Sequence, residues 1–220
     1  MSTIAIIGAG PGLGVAVARR FGREGFNVAL IARNREHVDA LATTLTGEGI
    51  RADGFTADVR DTDGLRAALT QAAERLGTID VLQYSPVPAK EFMRPVLETN
   101  AADLVGPVEF SIYGPVTAVN QVLAGMRSRG SGTIMFINGA SAVRPGATVT
   151  GTSVAFAGES AYAQLLHDAL APEGIHVAQL ILPLGIGGGD PSHEPAAIAD
   201  TIWRLHTERG EFRTYATALD

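Results

Sequence analysis

The chain contains no cysteine. That absence excludes disulfide frameworks, thiolate zinc sites and a cysteine nucleophile. Lysine is nearly missing too: of 17 basic residues, only Lys90 is not arginine. No cluster of basic residues forms and the net charge is −6, so nucleic acid is not an expected partner. Charged residues make up 18% against 46% apolar, which argues against disorder and supplies a sizeable core. No apolar run approaches the ~20 residues of a membrane span. The opening stretch Ser2 to Ile7 is too short for a signal peptide and has no basic start. The histidines show no metal-ligand spacing, so no metal site is expected. These absences point to a soluble, cytoplasmic protein without a membrane partner, and 220 residues fit one domain.

What is present is alternation. Short apolar runs at 4–7, 27–32, 52–57, 79–84, 133–138, 176–182 and 212–217 predict strands. Helical spacing predicts helices over 12–23, 35–45, 61–76, 152–170 and 195–206. A further long helix falls within 105–129, broken or preceded by a turn near Gly106-Pro107. Such βαβ alternation predicts an α/β fold: a doubly wound parallel sheet (Rossmann fold) of about seven strands with helices on both faces. No repeat or linker interrupts it, so 1–220 reads as a single dinucleotide-binding domain, and the Gly/Pro-rich stretch 183–195 is a loop. Ligands of such sheets lie beyond the carboxyl ends of the strands, which directs attention to the residues after each strand.

After the first strand comes Gly8-Ala9-Gly10-Pro11-Gly12-Leu13-Gly14. It departs from G-x-G-x-x-G and matches G-x-x-x-G-x-G through Gly8, Gly12 and Gly14. Glycines let the backbone turn sharply and approach a pyrophosphate. The helix that follows aims free N–H groups and its positive dipole end at that phosphate.

This spacing, together with Arg33 after strand two and Asp58-Val59 after strand three, resembles the short-chain dehydrogenase/reductase family over nearly the whole chain. The segment from Leu170 to Val177 and Pro183 after strand six are similar to the family's pattern there. The resemblance implies a nicotinamide cofactor. It adds Asn34, Ser85, Pro86, Pro183 and Gly185 to the expected contacts, with Asp58 beside the adenine. The end of strand two carries Ala32 where an acid would hold the ribose diol of NAD. Without that carboxylate a 2′-phosphate is not repelled, and Arg33 offers it a planar fork. The expected cofactor is therefore NADP(H). The plain alternative is that Arg33 and Arg35 are solvated residues at a helix start, and that Asp58 is a surface residue, although Asp61 is the better cap for the next helix.

The resemblance also implies a catalytic set that is missing. The family uses Tyr-x-x-x-Lys, but Tyr84, Tyr113, Tyr162 and Tyr215 are followed four residues later by Pro88, Thr117, Leu166 and Leu219. Counting back from Gly174-Ile175 places Thr152 at the tyrosine position and Phe156 at the lysine position. Gly139 falls where a serine belongs, and Ser111 where an asparagine supports a proton relay. Gln83-Tyr84-Ser85-Pro86 stands in place of an Asn-Ala-Gly turn. The remaining candidates for chemistry are Ser111, Ser141 and Thr152. Tyr84 could face the nicotinamide and His193 with Glu194 could reach the pocket, although the plainer reading of the last two is a solvated turn capping the next helix.

Two readings follow. One is an NADP(H)-dependent oxidoreductase of the short-chain dehydrogenase/reductase type with a non-standard active site, reducing a small activated carbonyl, imine or alkene. The other is a non-catalytic NADP(H)-binding protein, either a redox sensor or a partner subunit. The many small residues of 152–170 allow close helix pairing, and similar proteins pair this helix across a two-fold axis, so a homodimer or homotetramer is expected.

Overall fold

The computed structural model describes residues 2–219. Seven strands form one sheet: β1 (Thr3–Ile7), β2 (Asn27–Ala32), β3 (Ala52–Thr56), β4 (Ile79–Tyr84), β5 (Gly132–Gly139), β6 (Ile175–Leu182) and β7 (Arg213–Tyr215). Their order is β3-β2-β1-β4-β5-β6-β7, and every pairing is parallel. The strand order reverses between β1 and β4, where such sheets place their ligands. Both faces are covered, so β1 and β6 are buried at every position, and apart from Thr3, His176 and Gln179 their residues are apolar.

Alternation within β1 sorts the core into two layers. Ala5 and Ile7 pack with Leu65, Val119 and Ala163 of α3 (Thr62–Leu76), α5 (Gly114–Arg129) and α6 (Thr150–Leu170). Ile4 and Ile6 pack on the opposite face with Val17, Val38 and Ile202 of α1 (Leu13–Arg23), α2 (Arg35–Gly47) and α7 (Pro195–Glu208). Asn34 caps α2 by accepting from His37 N–H, and Asp61 caps α3 through Gly64 N–H.

Three segments differ in detail from the sequence reading. The long helix is preceded by a turn and not broken: the 3₁₀ turn Ala101–Leu104 leads into α4 (Val105–Val108), which runs through a π-helical stretch, Glu109–Tyr113, into α5. Pro115 has no N–H for the carbonyl of Ser111, four residues back, and Gly114 N–H bonds Glu109 instead of Phe110. The carbonyl of Phe110 is thereby displaced from the ladder, and the hydroxyl of Tyr84 donates to it. Residues 85–104, which carried no predicted element, form three short 3₁₀ turns. They are tied to the loop before α6 by Val96 N–H to Ala147 O at 2.8 Å and Thr150 N–H to Arg94 O at 3.0 Å. The last strand is shorter than predicted, Arg213–Tyr215.

Candidate active site

The carboxyl ends of the strands open onto two cavities that meet at Pro86. The first, about 770 Å³ including its open mouth, is bounded by Gly8, Ala32, Arg33, Asp58, Val59 and Pro86 among others. The second, about 850 Å³, lies over β5 and β6 and collects Leu13, Ser85, Pro86, Gly139, Ser141, Thr152, Phe156 and Gly185. Positions spread over the whole sequence are thus joined in one elongated groove.

The turn between β1 and α1 follows from its glycines. Gly8 has φ +89°, and a Cβ there would lie 2.5 Å from the backbone N and Cα of Pro86, so no other residue fits. Gly14 lets α1 close on Ala9, whose Cα would be 2.8 Å from an added Cβ. Gly10 and Gly12 differ: a Cβ at either would meet no protein atom within 4 Å. The backbone there is open to a ligand, and α1 starts without a side-chain cap. Uncapped N–H groups at a helix start form an anion site. Pro11 and Gly12 also border a shallow depression between α1 and α7.

At the first cavity the two arginines of the sequence reading separate. Arg35 pairs with Asp39 at 2.8 Å, an ordinary i,i+4 contact. Arg33 is exposed on the cavity wall and has no ion-pair partner among the described residues. Arg60, which the sequence reading passed over, lines the same wall but is held by Glu109 at 2.8 Å. Asp58 is half-buried, with one oxygen accepting from Arg60 N–H at 3.0 Å. Asn34 lines neither cavity, and its side-chain oxygen is engaged as the α2 cap.

The second cavity has no titratable side chain among its described lining residues. Thr152 is buried and its hydroxyl donates to Val149 O at 3.0 Å. Ser85 accepts from Gln83 Nε2 at 2.9 Å and donates to Ile7 O, tying β4 to β1. Ser141 is half-buried and has no hydrogen-bond partner among the described residues. Pro183 faces a neighbouring depression with Arg144 and Asp190 rather than this cavity.

Three candidates are placed elsewhere than expected. Tyr84 does not face the groove: it is fully buried, serving the displaced carbonyl of Phe110, and burial first, then the charges of Glu159 and Asp58, push its pKa well up. His193 is neither in the pocket nor solvated. It is fully buried, its Nε2 accepts from Leu184 N–H at 3.2 Å, and its Nδ1 lies 3.0 Å from Ser192 Oγ, so it pins the loop after β6. Ser111 is buried beneath the groove in the π-helical stretch, facing the carboxyl of Glu159.

Glu159 went unnoticed in the sequence. It is 1% exposed in the core of α6, three residues past Phe156 and seven past Thr152, on the same helix face. Burial raises its pKa to about 8, although the hydrogen bond from Asn138 and the nearby hydroxyl of Ser111 pull the other way. A chain of contacts leads from it to the edge strand. Arg213 Nε donates to Gln179 Oε1 (2.8 Å), Gln179 Nε2 to Asn138 Oδ1 (2.9 Å), and Asn138 Nδ2 to Glu159 Oε1 (2.9 Å). Arginine can only donate, so both amides are oriented by it and every donor points toward Glu159. Oε2 of Glu159 has no partner among the described residues. A charged residue in a helix face of small residues, opposite Asn and Gln in otherwise apolar strands, was the available signal.

No helix among the described residues is long and apolar enough to cross a membrane, and no group of three or more acidic or histidine ligands gathers among them.

Comparison with known proteins agrees with this geometry. The family model for short chain dehydrogenase matches residues 2–186. Oxidoreductase UcpA of Escherichia coli is 33% identical over 161 residues, covering 73% of this chain and 57% of UcpA. The chain therefore spans little more than half the length of that relative. A short-chain dehydrogenase structure from Rhodopseudomonas palustris superposes with a TM-score of 0.87 at 27% identity, covering 99% of both chains. The L-sorbose reductase of Gluconobacter frateurii, solved with NADPH and L-sorbose, shares the fold at a TM-score of 0.86 and 21% identity, covering 97% of this chain and 94% of that one. From its glycine turn to its sheet order, the chain belongs to the short chain dehydrogenase family.

Proposed function

We propose that this protein is an NADP(H)-dependent oxidoreductase that works without the family's usual proton donor, on a small activated carbonyl, imine or alkene. The observation that carries the cofactor choice is Arg33, exposed and unpaired among the described residues in the cavity that holds Asp58, next to Ala32 instead of an acid. Gly10, Gly12 and the uncapped start of α1 would hold the pyrophosphate. Asp58 and Val59 would flank the adenine, and Ser85, Pro86 and Gly185 lie toward the nicotinamide end. When bound, the nicotinamide supplies hydride chemistry. The structure of L-sorbose reductase with NADPH supports that cofactor on this fold.

The chain's own contribution at the second cavity is positioning. Ser141 has a free hydroxyl for a substrate acceptor, whereas Thr152 is spent on Val149 O. With no titratable lining group among the described residues, the proton comes from water or arrives on the substrate. A positioned general acid contributes ~10²–10⁴-fold, so ordinary ketones should turn over poorly and pre-activated substrates well. The exposed Tyr113, Val154 and Leu165 on the π-helical stretch and α6 support self-association, which light scattering would read.

Calorimetry tests the cofactor. NADPH should bind at least ~10-fold more tightly than NADH, since a charged hydrogen bond is worth about 1.5–3 kcal/mol. Arg33→Ala should abolish the preference, and equal affinities in the unaltered protein would refute it. The titratable-free cavity also favours the second reading, a cofactor-binding sensor or partner subunit. Tight NADPH binding with no consumption across carbonyls, imines and enones would select that reading.

A further inference from the structure

The second cavity is walled by apolar side chains from two loops that face each other. Val87 and Met93 come from the segment after β4, and Leu184 and Ile186 from the loop after β6. All four are large hydrophobics left partly or mostly in solvent, at 80, 45, 51 and 43% exposure. Leaving such surface uncovered is unfavourable, and a concave apolar patch marks a ligand site more often than a bare surface. The loop that carries Leu184 and Ile186 is held in place, because buried His193 accepts from Leu184 N–H and its carbonyl accepts from Gly187 N–H at 3.0 Å. The lining includes no titratable side chain among the described residues, and the nearby Arg144 and Asp190 border a separate depression. The one hydroxyl in the wall without a partner among the described residues is Ser141.

We infer that this cavity takes a neutral, apolar small molecule bearing one hydrogen-bond acceptor, its acceptor toward Ser141 and its apolar body between Val87, Met93, Leu184 and Ile186. This rests on the reading of the second cavity as the substrate end of the groove. Without its open mouth the cavity holds about 320 Å³, at the lower end of ordinary small-molecule sites. A charged ligand is disfavoured because its charge would be desolvated with no counter-charge in the wall.

The test uses the full chain, with and without saturating NADP⁺, and Nile red as a neutral fluorescent probe. 2-Decanone and decanoate, matched in length, compete for it at pH 7. Nile red should be taken up, and 2-decanone should displace it at a concentration at least ~10-fold lower than decanoate. Leu184→Asp should weaken both Nile red and 2-decanone ~10-fold. Ile186→Arg should improve decanoate binding and narrow the ratio, a gain that misfolding cannot imitate. Equal competition by ketone and carboxylate overturns the inference. So does an absence of Nile red uptake in a chain that light scattering finds self-associated, which would mean a second copy covers the loops. If calorimetry finds no NADPH binding but the ketone preference persists, the cofactor reading fails and the inference stands.

Discussion

Changing Glu159 to glutamine should stabilise the protein, and the gain should grow with pH. The carboxyl pKa is raised from 4.5 to about 8 by burial, so between those values the folded state holds a proton that the unfolded chain has shed. Stability therefore falls as pH rises through that window and is level above it. The slope is about 1.4 kcal/mol per pH unit. Relative to a permanently neutral side chain, the penalty works out at about 1 kcal/mol at pH 5, about 3 at pH 7 and about 5 at pH 9. The amide introduced by Glu159→Gln would keep the acceptor for Asn138 Nδ2 and place an uncharged group where Oε2 has no partner. Urea unfolding of both proteins at the three pH values measures the difference directly, and other titrating groups cancel in the comparison. A difference that stays constant with pH, or a variant less stable than the parent at pH 9, would refute the argument. Either result would mean that the oriented chain from Arg213 compensates an ionised Glu159 more fully than burial penalises it.

Three other outcomes follow from particular contacts. Tyr84→Phe leaves the displaced carbonyl of Phe110 without a donor and should cost about 1–3 kcal/mol, seen as a Tm several degrees lower by calorimetry. Gly8→Ala forces a left-handed backbone and a clash with Pro86, so a loss of about 2 kcal/mol or more is expected, with weakened NADPH binding in the same titration. His176 is depressed from 6.5 to about 4 by burial and then by the charges of His167, Arg209 and His206, so the unfolded chain binds a proton that the folded one refuses. Its contribution is complete above pH 6.5 and is lost as pH falls toward about 4, so His176→Phe should flatten the acid limb of the urea midpoint against pH.

Most of the scaffold was legible in the sequence because it depends on local rules. Period-2 and period-3.6 patterns set the seven strands and the helices between them to within a few residues. The turn from Gly8 to Gly14 carried its meaning in residue type, since the close approach of Pro86 tolerates only glycine at position 8. That no tyrosine is followed four residues later by a lysine was a matter of counting. Contacts between distant segments were not legible. That Tyr84 turns into the core depends on Pro115 and Gly114, thirty residues on, which displace the carbonyl it serves. That Arg33 is free among the described residues while Arg60 and Arg35 are paired depends on where Glu109 and Asp39 fall in space. The line from Arg213 through Gln179 and Asn138 to Glu159 joins β7, β6, β5 and α6, so only their packing could bring it together. Residue types and their spacing determined the fold and the glycine turn after β1. Tertiary structure decided which polar groups are spent on each other and which remain for a ligand, because hydrogen-bond partners lost to water on folding must be found wherever the packed elements happen to meet.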